Sequence, residues 1–149
     1  MSPRSPPVLP LAGIVRHAPA AAMPPPAVTL DYYADNGSLP PPHRRSTHAT
    51  LAADGRLVVT RTSGYDGDGD ASEHAVAHDD AAALVRDLRA LGLFSTAWAE
   101  PERRTVGGGL RRLRVTAGEE HAEIPALVHA DQRDAKRAIL ARVLAALPI

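Results

Sequence analysis

Asp66, Asp68 and Asp70 alternate with Gly67 and Gly69 behind Tyr65, which makes this the densest run of oxygen donors in the chain. Alternating carboxylates on one tight turn are what a hard cation such as calcium wants, because it needs several oxygens at once. The spacing departs from an EF-hand loop. Counted from Asp66, the sixth position is Ala71, where that loop needs Gly, and the twelfth is Ala77, where it needs a bidentate Glu. Asp and Gly also build any exposed strand connection. The leading reading is a solvated acidic loop, and the alternative is a weak divalent-cation or small-ligand site on Asp66, Asp68 and Asp70.

Other chemistry-bearing residues are less well placed. His74 and His78 precede a helix and fall on a strand edge, where four residues span about 13 Å, too far for one zinc ion. His43, His48, His121 and His129 are scattered along the chain. No Gly-x-Ser-x-Gly elbow presents a nucleophile. Gly107-Gly108-Gly109 leads into a strand instead of a helix N-terminus, and no Lys-Ser/Thr follows, so it reads as a bulge or a close backbone approach. Glu119, Glu120 and Glu123 sit on a turn and an outward strand face, as solvated surface. No catalytic residue and no cofactor is expected.

The segment best suited to recognition is the run from Gly37 to Arg45. Leu39, Pro40, Pro41, Pro42, His43, Arg44 and Arg45 form a proline-stiffened loop carrying one apolar side chain and two guanidinium groups. Triple proline imposes a short polyproline II stretch, and a loop already rigid loses little entropy on docking. These seven residues are the expected protein-partner contacts, with Gly107–Gly109 as a neighbouring patch. The competing reading is that the prolines only stiffen a connection between strands.

Bulk composition narrows the function classes. The 149 residues carry 17 basic and 17 acidic side chains, so the net charge is zero and bulk electrostatics give no reason to expect nucleic acid or an anionic membrane. There is no cysteine, which excludes disulfides, thiolate metal sites and cysteine nucleophiles and suits a cytoplasmic protein. No apolar run reaches the roughly 18 residues of a membrane span. Of 14 prolines, 8 fall within residues 1–26, and no acidic residue precedes Asp31. Residues 1–26 therefore read as a disordered leader. Val8 to Val15 resembles a signal-peptide core interrupted by Pro10 and Gly13, and Met23 offers an alternative start.

Residues 27–149 must position these groups as one domain. Val28, Leu30 and Tyr32 alternate with polar residues in a strand. Thr47–Leu51 and Leu57–Thr62 flank Asp54-Gly55 as a hairpin, and a possible short strand at His74–Ala77 follows the acidic loop. A helix starts near Asp79 or Asp80, either of which can cap it, and aligns Leu84, Leu88 and Leu91 towards the sheet before Gly92 ends it. A second unit begins near Val106. Leu113 and Val115 face inward on one strand, Ala122 and Ile124 on the next, and Arg112 and Arg114 lie opposite or diagonal to Glu123 and Glu119. Asp131 caps a last helix with Asp134 in its first turn, and Ile139, Val143 and Leu147 form a stripe widened by Leu140 and Leu144. The order β-ββ(β)α-ββα predicts an α+β fold: an antiparallel sheet of about four to six strands with two helices on one face.

The run from Asp31 through Gly37-Ser38-Leu39-Pro40-Pro41-Pro42, the Ala53-Asp54-Gly55-Arg56 hairpin and Val106-Gly107-Gly108 resemble a family of small bacterial proteins of uncharacterised activity, over residues 27 to 149. The hairpin–helix–hairpin–helix layout is also similar to emfourin-type inhibitors of thermolysin-like metalloproteases. That resemblance implies an inhibitor, and it carries no functional residue across. The resulting expectation is a soluble, non-enzymatic binding or inhibitor-like module, monomeric or weakly dimeric.

Overall fold

The computed structural model describes residues 27–67, 69–104 and 108–149. The proposed leader, Asp68 and residues 105–107 lie outside them. Six antiparallel strands form one sheet: β1 Val28–Asp35, β2 Arg45–Leu51, β3 Arg56–Ser63, β4 Asp70–Ala75, β5 Leu110–Ala117 and β6 Glu120–Ile124. Their order across the sheet is β4-β3-β2-β1-β5-β6. Two helices, α1 His78–Ala90 and α2 Arg133–Ala146, complete the α+β architecture read from the sequence.

Strand alternation decides which face the helices cover. Val28, Leu30 and Tyr32 in β1 are buried, as are Ala49, Leu51, Leu57, Val59, Leu113, Val115, Ala122 and Ile124 from its neighbours. These positions are in register across the sheet, with Tyr32 opposite Ala49 and Leu113, and Leu30 opposite Leu51 and Val115. Ala81, Leu84, Val85 and Leu88 of α1 and Ile139, Leu140 and Val143 of α2 close the core from above. The opposite sheet face is polar, and on it Arg114 reaches Glu123 at 2.8 Å, as the cross-strand pattern predicts. Arg112 instead lies 4.8 Å from the Tyr33 ring centroid. Edge strands β4 and β6 carry Asp70, Glu73, Glu120 and Glu123, charges that discourage pairing with another sheet.

Several local expectations are corrected. β4 begins at Asp70, not His74, because it pairs along β3 from Arg61 to Arg56. Ala77 occupies the cap position of α1, so Asp79 and Asp80 lie in its first turn, where they favour the dipole without capping. Likewise Asp131 belongs to a single 3-10 turn, Ala130–Gln132, and Gln132 precedes α2; the Asp131 carboxylate pairs with His129 at 2.8 Å. Leu91 is exposed rather than in the stripe. Gly92, with φ 93°, turns the chain left-handed so that Leu93 N–H bonds to the Leu88 carbonyl at 3.0 Å. Leu93, two residues later, takes the core position instead and is fully buried. Leu144 is also exposed, facing away from the α2 stripe.

The segment after α1 is tied to the approach to α2. Trp98 Nε1 donates to the Leu93 carbonyl, while the Gln132 amide donates to Ala97 O at 2.8 Å and accepts from Ala99 N at 3.0 Å. Arg142 of α2 meets Asp87 of α1 at 2.9 Å. Among the described residues no helix is long and apolar enough to cross a membrane.

Candidate functional site

β1 ends at Asp35, and this carboxylate organises the loop that follows. It accepts from the Tyr33 hydroxyl at 2.9 Å, from Gly37 N at 2.9 Å and from Leu110 N at 3.3 Å, and it pairs with Arg44 at 3.2 Å. Burial alone would raise its pKa. The Tyr33 hydroxyl, the two amides and the Arg44 guanidinium outweigh that and hold it below the usual carboxylate value. Asn36 then closes the loop: its side chain donates to His43 O and accepts from Arg45 N, both at 2.8 Å.

Gly37 is buried against the next strand connection. Its φ is 101°, and a Cβ there would lie 2.8 Å from the Gly108 carbonyl oxygen. A Cβ on Gly109 would come within 2.7 Å of the Asp35 carbonyl. The neighbouring patch expected from the glycine run is therefore in contact with the loop through Gly108 and Gly109, while Gly107 falls outside the described residues.

The proline run takes a different shape from the one predicted. Pro40 is extended, with φ −54° and ψ 149°, but Pro41–His43 curl into one 3-10 turn in place of polyproline II. Hydrogen bonds from His43 N and Arg44 N to the Pro40 carbonyl, 2.9 and 3.1 Å, favour the turn. Leu39, Pro40, Pro41, Pro42 and His43 are exposed. Tyr65, also exposed, donates its hydroxyl to Leu39 O at 2.6 Å and brings an aromatic ring beside Leu39.

The two arginines do unlike things. Arg44 turns into the protein: it bonds to Tyr33 and Asp35, lies 5.0 Å from the Tyr65 ring centroid, and leaves its Nε buried without a partner. The Tyr33 hydrogen bond raises its pKa most, burial opposes this, and the Asp35 charge adds to the rise. Arg45 is exposed, yet its guanidinium donates back to Pro42 O and Arg44 O and braces the turn.

The acidic run lies at the β3–β4 connection. Asp66 and Asp70 are exposed, and Asp68 lies outside the described residues. Among the described residues no three His, Asp or Glu side chains converge on a point where a metal ion could sit.

Behind the loop, on the helix face, a cleft of about 520 Å³ opens between the end of the sheet and α2. Asp35, Asn36 and Gly109 form the wall shared with the loop, and Arg103, Arg111, Arg133, Lys136 and Arg137 surround the rest. Ala126, Leu127, Val128 and Leu140 supply an apolar lining. Lys136 is half-buried and donates to Pro125 O at 2.9 Å and Ala126 O at 2.8 Å. Burial, with a contribution from nearby Arg111, lowers its pKa to about 8. Arg137 pairs with Asp134 at 2.8 Å. Among the described residues, Arg103, Arg111, Arg133 and Lys136 have no carboxylate within ion-pair distance.

The sequence reading passed over this cleft, although two signals for it exist. Arg111 is in phase with Leu113 and Val115, and opposite Ala34, so it is a charge at an inward position of β5. Lys136 precedes Leu140 and Val143 by four and seven residues, so it lies on the buried stripe of α2. A charge in an apolar phase is the informative event, and a net charge of zero conceals it. Comparison with protein-family models and with curated proteins finds no match to this chain.

Proposed function

We propose that this chain is a non-enzymatic binding module that inserts its 36–45 loop into a cleft on another protein. The observation carrying this reading is the pairing of exposed Leu39 with exposed Tyr65 on a loop fixed from behind. Asn36, Arg44 and Arg45 use their hydrogen bonds inside the loop, so the loop geometry exists before any partner arrives. Docking then orders few groups, and the contact energy is not consumed by loop entropy. Leu39, Tyr65 and the prolines offer apolar and aromatic contact of the kind that dominates interface cores. Arg44 acts as an internal tie, leaving Leu39, Pro40, Pro41, Pro42, His43 and Tyr65 as the contact surface.

An exposed loop braced by its own hydrogen bonds suits a partner cleft, and a peptidase active-site cleft is the partner class implied by the emfourin-like layout. The test has two arms using the full chain. One measures inhibition of a thermolysin-like metalloprotease; the other captures partners from host lysate and culture medium and then titrates each captured protein against the pure chain. Leu39→Asp with Tyr65→Ser is expected to weaken either interaction at least tenfold, while Leu144→Asp on the outer side of α2 leaves it unchanged. Equal binding by the wild type and the loop variant, or none by either, removes the loop as the functional surface.

A further inference from the structure

We propose that the cleft between the end of β5 and the first turns of α2 binds a small organic dianion, a phosphate monoester or a dicarboxylate, whose short apolar body rests on Leu127, Val128 and Leu140. This inference is independent of the loop reading.

The charge arrangement points to an anion. Arg103, Arg111, Arg133, Lys136 and Arg137 border one concavity, and the single carboxylate on its wall belongs to Asp35. Asp35 is already satisfied by Arg44, Tyr33 and two backbone amides, and Asp134 neutralises Arg137 alone. The remaining four cations have no carboxylate partner among the described residues, and the charge of Arg111 contributes to lowering the pKa of half-buried Lys136. Outside the cleft several arginines are paired, Arg56 with Glu73, Arg89 with Glu120, Arg114 with Glu123 and Arg142 with Asp87, while Arg61, Arg86 and Arg112 lie outside that lining without an ion pair among the described residues. Among the described residues the cleft thus gathers several cations around one carboxylate that is already paired, in a protein with equal numbers of acids and bases.

Shape and lining narrow the ligand further. A volume of about 520 Å³ lies in the range of small-molecule pockets, roughly 300–1,000 Å³, and is too small for a folded partner. Guanidinium forks on Arg111 and Arg133 match the paired oxygens of phosphate or carboxylate. Lys136 is held by the Pro125 and Ala126 carbonyls, which fix its ammonium at the cleft wall with a third donor left over. The apolar lining gives no reason to prefer a bare inorganic ion.

The test titrates the full chain by isothermal calorimetry and by NMR of arginine side-chain and backbone amides, at low ionic strength. The probes are phenyl phosphate, phthalate, inorganic phosphate and phenol. Phenyl phosphate or phthalate is expected to bind at least tenfold more tightly than inorganic phosphate, phenol not measurably, and shifts should centre on Arg111 and residues 126–128. Which of the two dianions binds more tightly identifies the head group. Arg111→Gln should lower affinity at least tenfold. The Arg133→Gln/Arg137→Gln double variant, on exposed helix positions with little bearing on folding, should do the same. Arg114→Gln on the outer sheet face should change nothing, and neither should Leu39→Asp. The proposal is overturned if neither dianion outperforms inorganic phosphate, or if affinity survives the double variant. Binding of an Asp/Glu-rich peptide with no binding of either small dianion would overturn it in favour of a protein partner.

Discussion

Two basic regions meet at Asp35 and treat positive charge in opposite ways. In the loop, Arg44 is closed off by Asp35, Tyr33 and the Tyr65 ring, so its charge is part of the scaffold. In the cleft on the other side of the same strand end, Arg111 and Lys136 gather with Arg103 and Arg133, and among the described residues no acid pairs with them. A paired arginine holds a shape, whereas an unanswered cluster leaves a potential for something else to neutralise. The loop therefore presents apolar groups on an internally neutralised base, and the cleft presents charge on an apolar base.

The largest way to break the contrast is Asp35→Asn, because this carboxylate serves both regions. The change removes the Arg44 countercharge and puts an amide donor where Asp35 Oδ2 accepted from Arg44 and Tyr33, at about 1–3 kcal/mol for the stranded guanidinium. Thermal denaturation at neutral pH should show a fall of at least about 4 °C. The acid side carries a second signature. The folded pKa of Asp35 lies below its unfolded value of about 3.9. Its stabilisation is therefore complete above that value and is lost as pH falls through the folded pKa. Asp35→Asn should flatten this part of the stability–pH curve; an unchanged acid limb would mean that the carboxylate is not the hub of the loop.

Gly37→Ala comes next. Its positive φ costs a side chain about 1–3 kcal/mol, and the added methyl must displace the Gly108 carbonyl. The variant should melt lower and lose partner capture, while dianion affinity in the cleft changes less than twofold. If both functions fell together, the loop and the cleft would be one site. Arg111→Gln should act in the reverse direction on stability. Removing one of several like charges should raise the melting temperature slightly, by less than about 1 kcal/mol in stability, and the gain should shrink as salt screens the cluster.

How much of this was legible in the sequence follows from what each element depends on. Strand alternation and the Leu84–Leu88 stripe depend on local periodicity, and the sheet, both helices and the inward residues of β1, β5 and β6 were readable from it. The helix starts were misplaced because Asp79, Asp80 and Asp131 are chemically fit to cap, and only the backbone path decides which residue stands at the boundary. Leu91 continues the helical period, but the left-handed turn at Gly92 ends the helix first and gives Leu93 the core position. The 36–45 loop was expected as a polyproline II stretch, not as a 3-10 turn, and the inward rotation of Arg44 was not legible because it depends on Asp35 and Tyr65 from other segments. The cleft was missed because its cations come from three separate stretches of chain, Arg103, Arg111 and the start of α2. The sole local cue is that Arg111 and Lys136 occur where an apolar residue belongs.

The last test separates the two regions by pH window, because Lys136 changes stability in the alkaline range and Asp35 in the acid range, both with stability rising as pH rises. Lys136 has its folded pKa lowered to about 8 by burial and by Arg111, against about 10.4 when unfolded. Between those values the unfolded chain binds more protons than the native one, so stability should rise as pH increases from about 8 towards 10. Below pH 8 both states are protonated and the burden on the fold is fully present. Chemical denaturation across that range should show the rise, and Lys136→Met should abolish it while stabilising the protein at neutral pH. A bound dianion favours the ammonium, so saturating phenyl phosphate should move the onset of the rise upward. An onset that stays in place at saturation would mean that the anion does not sit beside Lys136.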